Sequence, residues 1–429
     1  MASRFLNRIS VRRRPSPIRA LQPLTQLEGM ISFGSGMPAP STFPIAQISA
    51  TLTDGSTISI GPAHTREAMQ YSATNGLPRL QAWVSRLLQR EHGWDPSSAH
   101  GAVCVTTGSQ NALHLAFEML LDEEAAVLLD EYAYPGAIES IRPLGARLLG
   151  VAADAEGMRP ERLVAAIEAS AARGVRPRVL YTVPTGHNPC GFTMPTSRRR
   201  EIYQICSQYD LLILEDDPYW FLDLSCAAAA PPLESFLRID TQQRVLRFDS
   251  LSKVLSSGIR VGWVSGPSEL VERISLHQQV AALHSSGPSQ ALVLALLEAW
   301  GEEGWRRHVA SVQQFYRSQR DVMAASAARH LGELARWHVP THGMFLWMDL
   351  SPSGVQDTHH LVTQSAVAAK VLLVPGSSFA ADGAAASPSP YVRAAFSMAS
   401  AEDMEEGMAR IATMLTGGGG LRNAPSEGV

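Results

Sequence analysis

VLRFDSLSKVLSSGIRVGWVS, residues 245–265, holds two short apolar runs separated by a polar loop. The runs are VLRFD (245–249) and VGWVS (261–265), and both read as buried strands. About eleven residues lie between them, too few for the crossover that parallel neighbours require. The second run is therefore expected to lie antiparallel. Five further runs precede them: VCV (103–105), VLLD (127–130), RLLGV (147–151), VLYTV (179–183) and LLILE (211–215). Helix-like text separates most of these. In SRRREIYQICSQYD, Ile202, Ile205, Cys206 and Tyr209 share one helical face. Strands alternating with helices imply an α/β fold with a mainly parallel sheet. From about residue 290 the pattern changes to a long helical stretch (290–331), then WHVPTHGMFLWMDL, a helix, VLLVPG and YVRAAFSMAS, which reads as a smaller α+β region.

A chain of 429 residues exceeds one typical core, so two domains are expected. Its 45% hydrophobic and 18% charged content suits a globular protein, and a net charge of −4 implies no general attraction to nucleic acid or membrane. Cys104, Cys190, Cys206 and Cys226 show neither metal-ligand spacing nor a disulfide framework, which favours a soluble protein of a reducing, intracellular compartment. The start, MASRFLNRISVRRRPSPIRAL, is Arg-rich and has no acid before Glu28. It reads as a basic arm or as a mitochondrial targeting segment, so cytoplasm and mitochondrial matrix both remain open. TGGGGLRNAPSEGV reads as a flexible tail.

The loop between the last two runs holds Lys253, one of only two lysines among 36 Lys plus Arg; the other is Lys370. Arginine replaces lysine as a surface charge but not as an amine nucleophile, because its guanidinium stays protonated. The strand ends around Lys253 carry matching chemistry, and the carboxyl ends of strands are where open α/β sheets bind ligands. TTGSQNAL (106–113) brings Ser109, Gln110 and a helix start suited to phosphate, without the lysine of a P-loop. DEYAYPG (130–136) brings Tyr134, which can lie flat on a planar ring, and VPTGHNPCG (183–191) is a stiff loop around Asn188. LEDDPYW (214–220) brings Asp216 and Tyr219; a carboxylate there can keep a ring nitrogen protonated. Ser250, Ser252 and Arg260 surround Lys253 with phosphate donors. Each stretch alone also reads as an ordinary N-cap, packed aromatic, turn or acidic loop. Together they match pyridoxal 5′-phosphate, whose carbonyl accepts a lysine amine and whose ring stores electrons.

With these motifs in order, and with AMQYSATNGLP, HVPTHGMFLW and SPYVRAAFS, the chain resembles the kynurenine/2-aminoadipate aminotransferases of fold-type I over nearly its whole length. The resemblance implies a large domain with a seven-stranded sheet containing one antiparallel strand, plus a smaller α+β domain. On that pattern residues 1–14 form the arm, 29–289 the large cofactor-binding domain, 15–28 with 290–416 the small closing domain, and 417–429 the tail. It implies that Lys253 carries the cofactor and shuttles the proton, Asp216 pairs with the ring nitrogen, and Tyr219 and Asn188 bond the phenolic oxygen. Tyr134 stacks on the ring. Ser109, Gln110, Ser250, Ser252 and Arg260 hold the phosphate, joined by Tyr71 from a second subunit of a homodimer. Arg393 takes the substrate α-carboxylate, with Gly36, Arg19, Asn188 and Tyr71 near the substrate. Cys190 and Tyr132 depart from the family pattern, which has a hydroxyl residue and a proline there; neither change removes a chemical group named above, and loop rigidity and substrate fit are the properties left open to them. Arg260 follows Lys253 by seven residues, as in the aminoadipate-type branch.

The expected activity is ping-pong transfer of an amino group from an aromatic or long-chain amino acid to a 2-oxo acid such as 2-oxoglutarate. A broad aromatic or branched-chain aminotransferase, a lyase on the same scaffold, and a non-catalytic ligand-sensing module are the alternatives. Only about 30 residues precede the domain, too few for a DNA-binding module.

Overall fold

A computed structural model describes residues 2–21, 24, 27–31, 33–34, 36–97, 100–225, 233–381 and 388–417. All seven apolar runs form strands of one sheet: β1 (Gly101–Thr106), β2 (Ala126–Asp130), β3 (Arg147–Val151), β4 (Val179–Thr182), β5 (Leu212–Asp216), β6 (Val245–Ser250) and β7 (Gly262–Pro267). Their spatial order is β1-β7-β6-β5-β4-β2-β3. The pairs β6–β5, β5–β4, β4–β2 and β2–β3 are parallel, and β7 runs antiparallel to both neighbours. The short connection between β6 and β7, residues 251–261, dictates that reversal.

The strands are covered on both faces, which is why they read as unbroken apolar runs. Alternate residues serve two cores. Leu128, Leu180 and Ile213 face a layer with Trp83, Ile202 and Trp305. Their neighbours Leu129, Tyr181 and Leu214 face a layer with Phe117, Ile138 and Ile274. The predicted helix around SRRREIYQICSQ spans α1 (Thr196–Gln208) and buries Ile202, Tyr203 and Cys206, while Ile205 and Tyr209 lie half-buried at its edge.

A third core joins Met323, Leu331, Met404 and Met408 to the three-stranded antiparallel sheet of β8 (Phe345–Asp349), β9 (Val374–Pro375) and β10 (Tyr391–Ala395). Leu346, Met348, Val392 and Ala394 enter that core. The helical stretch after residue 286 is not continuous. Gly301, at φ 58° and ψ −171°, breaks Gly287–Leu331 into two helices. Two hairpins are additional to the predicted strands, Ile48–Thr51 with Thr57–Ile60 and Ala153–Asp154 with Gly157–Met158. Residues 418–429 and Cys226 lie outside the described residues. No helix among the described residues is long and apolar enough to cross a membrane.

The Arg-rich start is packed down. Phe5 is buried in the second core. The Asn7 side chain donates to the carbonyls of Glu118 and Leu121 at 2.8 and 2.7 Å, closing the end of the helix Ser109–Leu120. Arg4 pairs with Asp210, and the Ser10 hydroxyl meets His277 Nε2 at 2.5 Å. Asn7→Ala is therefore expected to leave two carbonyls without their donors, at a cost of about 1–3 kcal/mol. Trypsin cleavage after Arg8 and Arg12 under native conditions should speed up, with cofactor content unchanged; an unaltered cleavage rate would show that the arm is held by other contacts.

Candidate active site

The carboxyl ends of β1, β2, β4, β5 and β6 converge on the Lys253 loop. At β5 the sequence Glu215-Asp216-Asp217 alternates across the sheet. Glu215 and Asp217 face Arg247 on β6, at 3.1 and 2.9 Å, and all three side chains are wholly buried. Asp216 faces the other way. Its Oδ2 accepts the Tyr181 hydroxyl at 2.9 Å, while its buried Oδ1 has no hydrogen-bond partner among the described residues. Burial pushes the Asp216 carboxyl up to about 7, against the pull of the Tyr181 hydrogen bond.

The phosphate-type residues form a cup. Ser109 opens its helix, whose first-turn N–H groups lack helical acceptors. Arg260 Nη1 donates to Ser252 Oγ at 3.1 Å, Ser252 Oγ lies 2.9 Å from Ser250 Oγ, and Arg260 Nη2 donates to the Thr107 carbonyl at 3.0 Å. The fit is tight at Gly108. A Cβ there would stand 2.4 Å from Arg260 Nη2, and its φ of +81° is one that glycine adopts freely. Gln110 Nε2 donates to the Gly136 carbonyl at 2.9 Å, and a Cβ on Gly136 would fall 2.5 Å from the Tyr134 ring. Tyr134 and Gln110 thus occupy one wall.

Lys253 is partly buried between these groups. Desolvation and the positive charges of Arg393 and Arg260 hold its ammonium below the ordinary value, with Asp216 opposing them. The amine is thereby shifted toward its neutral, nucleophilic form. Tyr219 is buried, and burial raises its hydroxyl's pKa; the Asn188 side chain pairs with that hydroxyl. Arg393, on β10, reaches across from the small sheet. Its Nη1 donates to Asn188 Oδ1 at 2.7 Å, and its guanidinium lies 4.4 Å from the centre of the Phe345 ring and 5.0 Å from that of Phe379. Its buried Nε has no acceptor among the described residues.

Lys253, Asp216, Tyr219, Asn188, Tyr134, Ser109, Gln110, Ser250, Ser252, Arg260 and Arg393 are thus gathered around one cleft. Tyr71 is 47% exposed and packs beside His284. Gly36 is exposed with open space around it, and Arg19 lies in the short helix Pro17–Ala20, its side chain outside the described residues. Sequence reasoning missed Tyr181, Phe345 and Phe379. Tyr181 had a signal: a tyrosine inside a fully buried strand needs a partner for its hydroxyl.

The family model for aminotransferase class I and II matches residues 30–411. The chain belongs to this family. The kynurenine/alpha-aminoadipate aminotransferase, mitochondrial, of Bos taurus is 38% identical over 426 residues, covering 96% of this chain and 98% of the relative. Among solved structures, aminotransferase Aro8 from Candida albicans superposes with a TM-score of 0.85 at 26% identity, covering 97% of this chain and 98% of the other. The alpha-aminoadipate aminotransferase LysN from Thermus thermophilus, solved with N-(5′-phosphopyridoxyl)-L-leucine, gives 0.71 at 30% identity, covering 97% and 98%.

The protein is accordingly an aminotransferase, and its cofactor is pyridoxal phosphate. The residues fit that group: an unpartnered carboxylate oxygen for a ring N–H, a serine and arginine cup for the phosphate, and a lysine amine for the carbonyl. Borohydride treatment of the cofactor-loaded protein is expected to fix the cofactor on Lys253, as read by peptide mapping. An adduct on the exposed Lys370 would mean that the amine has been misplaced.

Proposed function

We propose that this aminotransferase takes the amino group from an aromatic or long-chain amino acid of kynurenine or 2-aminoadipate type. It passes that group to a 2-oxo acid, 2-oxoglutarate foremost, in two alternating half-reactions. The observation that carries the amino-acid reading is Arg393, a guanidinium clamped by two aromatic rings with a buried, unpartnered Nε beside Lys253. The kind of donor is supported by the name and 38% identity of the bovine relative.

When bound, pyridoxal phosphate supplies the carbonyl that takes up the amino group and a ring that withdraws electrons from the substrate α-carbon. The chain's residues do the rest. Arg393 holds the α-carboxylate through Nε and one Nη, a bidentate grip that leaves Nη1 on Asn188. This orients the bond to be broken. Lys253, its ammonium destabilised by burial and by two arginines, moves the proton at the α-carbon. Asp216 supplies the negative charge that keeps the ring nitrogen protonated, and Tyr219 with Asn188 fixes the ring's phenolic oxygen. Ser109, Gln110, Ser250, Ser252 and Arg260 anchor the phosphate, and Tyr134 covers the ring.

A homodimer completes the site. Tyr71 packs against His284, and Leu283 and Val280 (70% exposed), which shortly precede His284 in the chain, are exposed apolar residues. In the dimer the partner subunit's Tyr71 reaches the phosphate, and Gly36 and Arg19 lie near the substrate.

Purified protein should be tested with 2-oxoglutarate against kynurenine, 2-aminoadipate, leucine, methionine and aspartate in parallel. Kynurenine or 2-aminoadipate is expected to give the highest kcat/KM, and a preference for aspartate would overturn the donor assignment. Arg393→Lys offers one point charge in place of the planar fork and should lose roughly 2–5 kcal/mol of transition-state binding, about 30-fold or more in kcat/KM, for every amino acid. Cofactor content should stay unchanged; a loss confined to acidic donors would make Arg393 a side-chain selector instead. Sedimentation should show a dimer or an assembly of dimers, and a fully active monomer would exclude a shared site.

A further inference from the structure

We propose that Tyr181 is the positioning residue for Asp216: its hydroxyl fixes the carboxylate rotamer through Oδ2, so that Oδ1 is the oxygen left facing the cofactor's ring nitrogen. The inference rests on the reading above that Asp216 meets that nitrogen.

The geometry is closed around the pair. Asp216 ends β5, and Tyr181 stands on the adjacent parallel strand β4, where it lies beside Leu214. The Tyr181 hydroxyl and Asp216 therefore project on the same face, and the hydroxyl donates to Oδ2 at 2.9 Å between two buried groups. A carboxylate at a strand end has two oxygens and a freely turning plane; one strong donor on one oxygen removes that freedom. The Tyr181 ring is itself held, packed edge-on against Phe117 with centroids 5.7 Å apart. The second oxygen is the one without a partner. A buried acceptor left open beside a fully satisfied one marks where a ligand's donor belongs.

The hydrogen bond also matters for charge. Asp217 and Asp249 oppose ionisation of Asp216, Arg247 favours it, and Lys253, Tyr134 and Tyr219 face it from the loops of the cleft. Burial is the largest effect and favours the neutral acid, and the Tyr181 hydroxyl is the largest influence acting the other way. Position and ionisation are thus served by one contact.

The test compares binding of pyridoxal phosphate with binding of its 1-deaza analogue, in which carbon replaces the ring nitrogen, to the full-length apoprotein by absorbance titration. Both ligands use the same phosphate cup and the same lysine, so their affinity ratio reports the Asp216 contact alone. Tyr181→Phe keeps the packed ring and removes only the donor. It is expected to weaken pyridoxal phosphate binding about tenfold, the size of a lost hydrogen bond to a charged group, with the deaza analogue unchanged. Tyr181→Leu, read in the same way, serves if the phenylalanine variant does not fold. Asp216→Ala is the reference and should abolish the preference for the natural cofactor. If it does so while Tyr181→Phe leaves the preference intact, or weakens both ligands equally, the positioning role is overturned and the Asp216 reading stands. If Asp216→Ala itself leaves the preference unchanged, the Asp216 reading falls and the inference falls with it.

Discussion

A wholly buried guanidinium holds the cleft together. Arg247 lies among Glu215, Asp217 and Asp249, at 3.1, 2.9 and 2.9 Å, on the face of the sheet opposite Asp216. Without it three carboxylates would share one dry region, and burial would force them to stay protonated or to rearrange. Breaking such a buried pair typically costs about 3–5 kcal/mol, a large part of a domain's net stability. Arg199 extends the cluster, donating to Thr185 Oγ at 2.9 Å, and Thr185 in turn donates to Asp217 at 3.0 Å. The ends of β4, β5 and β6 are thereby pinned to one another by charge. Those three ends carry the loop of Asn188, Asp216 and the loop of Lys253.

The period of two in a strand turns this cluster into a site. Glu215 and Asp217 pair with Arg247, and Asp216 between them keeps one buried oxygen without a partner among the described residues. A run of three acids in LEDD looks redundant as composition, but each has a separate task because successive side chains leave opposite faces. The same alternation separates Phe345, Trp347, Tyr391 and Arg393 from Leu346, Met348, Val392 and Ala394 on the small sheet. Trp347 lies opposite Arg393 and stacks on Tyr391 with an interplanar angle of 7°, so Arg393 stands in an aromatic wall.

Much of this was legible from the sequence, for reasons that can be named. Strands buried on both faces are continuous apolar runs, and all seven stood out. The short connection between the last two runs forced the antiparallel strand. Lys253 stood out as one of two lysines in the chain, and Asp216 and Asn188 as polar residues in the stretches that follow apolar strands; the structure brings the three to one cleft. What escaped was made by tertiary contact. Tyr181 signals that its hydroxyl needs a partner, but that the partner is Asp216 emerges only when the next strand is laid beside it. Phe345 and Phe379 meet Arg393 only once the small sheet has folded. The Gly301 break hid inside a helical pattern because glycine is tolerated there in many helices. The hairpin at 48–60 did carry a signal, Asp54-Gly55 between alternating strands, but its runs are only four residues long. The packing of the Arg-rich start depends on Asn7 meeting the end of a helix more than 100 residues away, which no local pattern shows.

The two departures from the family pattern turn out to spare the backbone. Tyr132 stands where a proline is usual, in an antiparallel bridge to Ala380. The hydrogen bonds on either side of it come from the Ala133 N–H to the Phe379 carbonyl at 2.8 Å and from the Ala381 N–H to the Glu131 carbonyl at 2.9 Å. The bridge therefore makes no use of the N–H of residue 132, and a residue lacking that N–H is as compatible with it as tyrosine. The substitution changes only what lies beside Trp347 and Tyr391, where the Tyr132 ring packs and its hydroxyl meets Ser389 Oγ at 3.2 Å. Cys190 follows the same logic. The Asn188 loop is closed by His187 N–H to the Phe192 carbonyl at 2.8 Å, by Gly191 N–H to the His187 carbonyl at 2.7 Å, and by Cys190 N–H to His187 Nδ1 at 3.2 Å. None of these bonds uses the side chain of residue 190. Burial, with Asp130 and Glu131 near, drives the Cys190 thiol well above its usual range, so it stays neutral, as the hydroxyl it replaces would. The side chains of Tyr132 and Cys190 are thus the parts of these two segments that their backbone hydrogen bonds do not use.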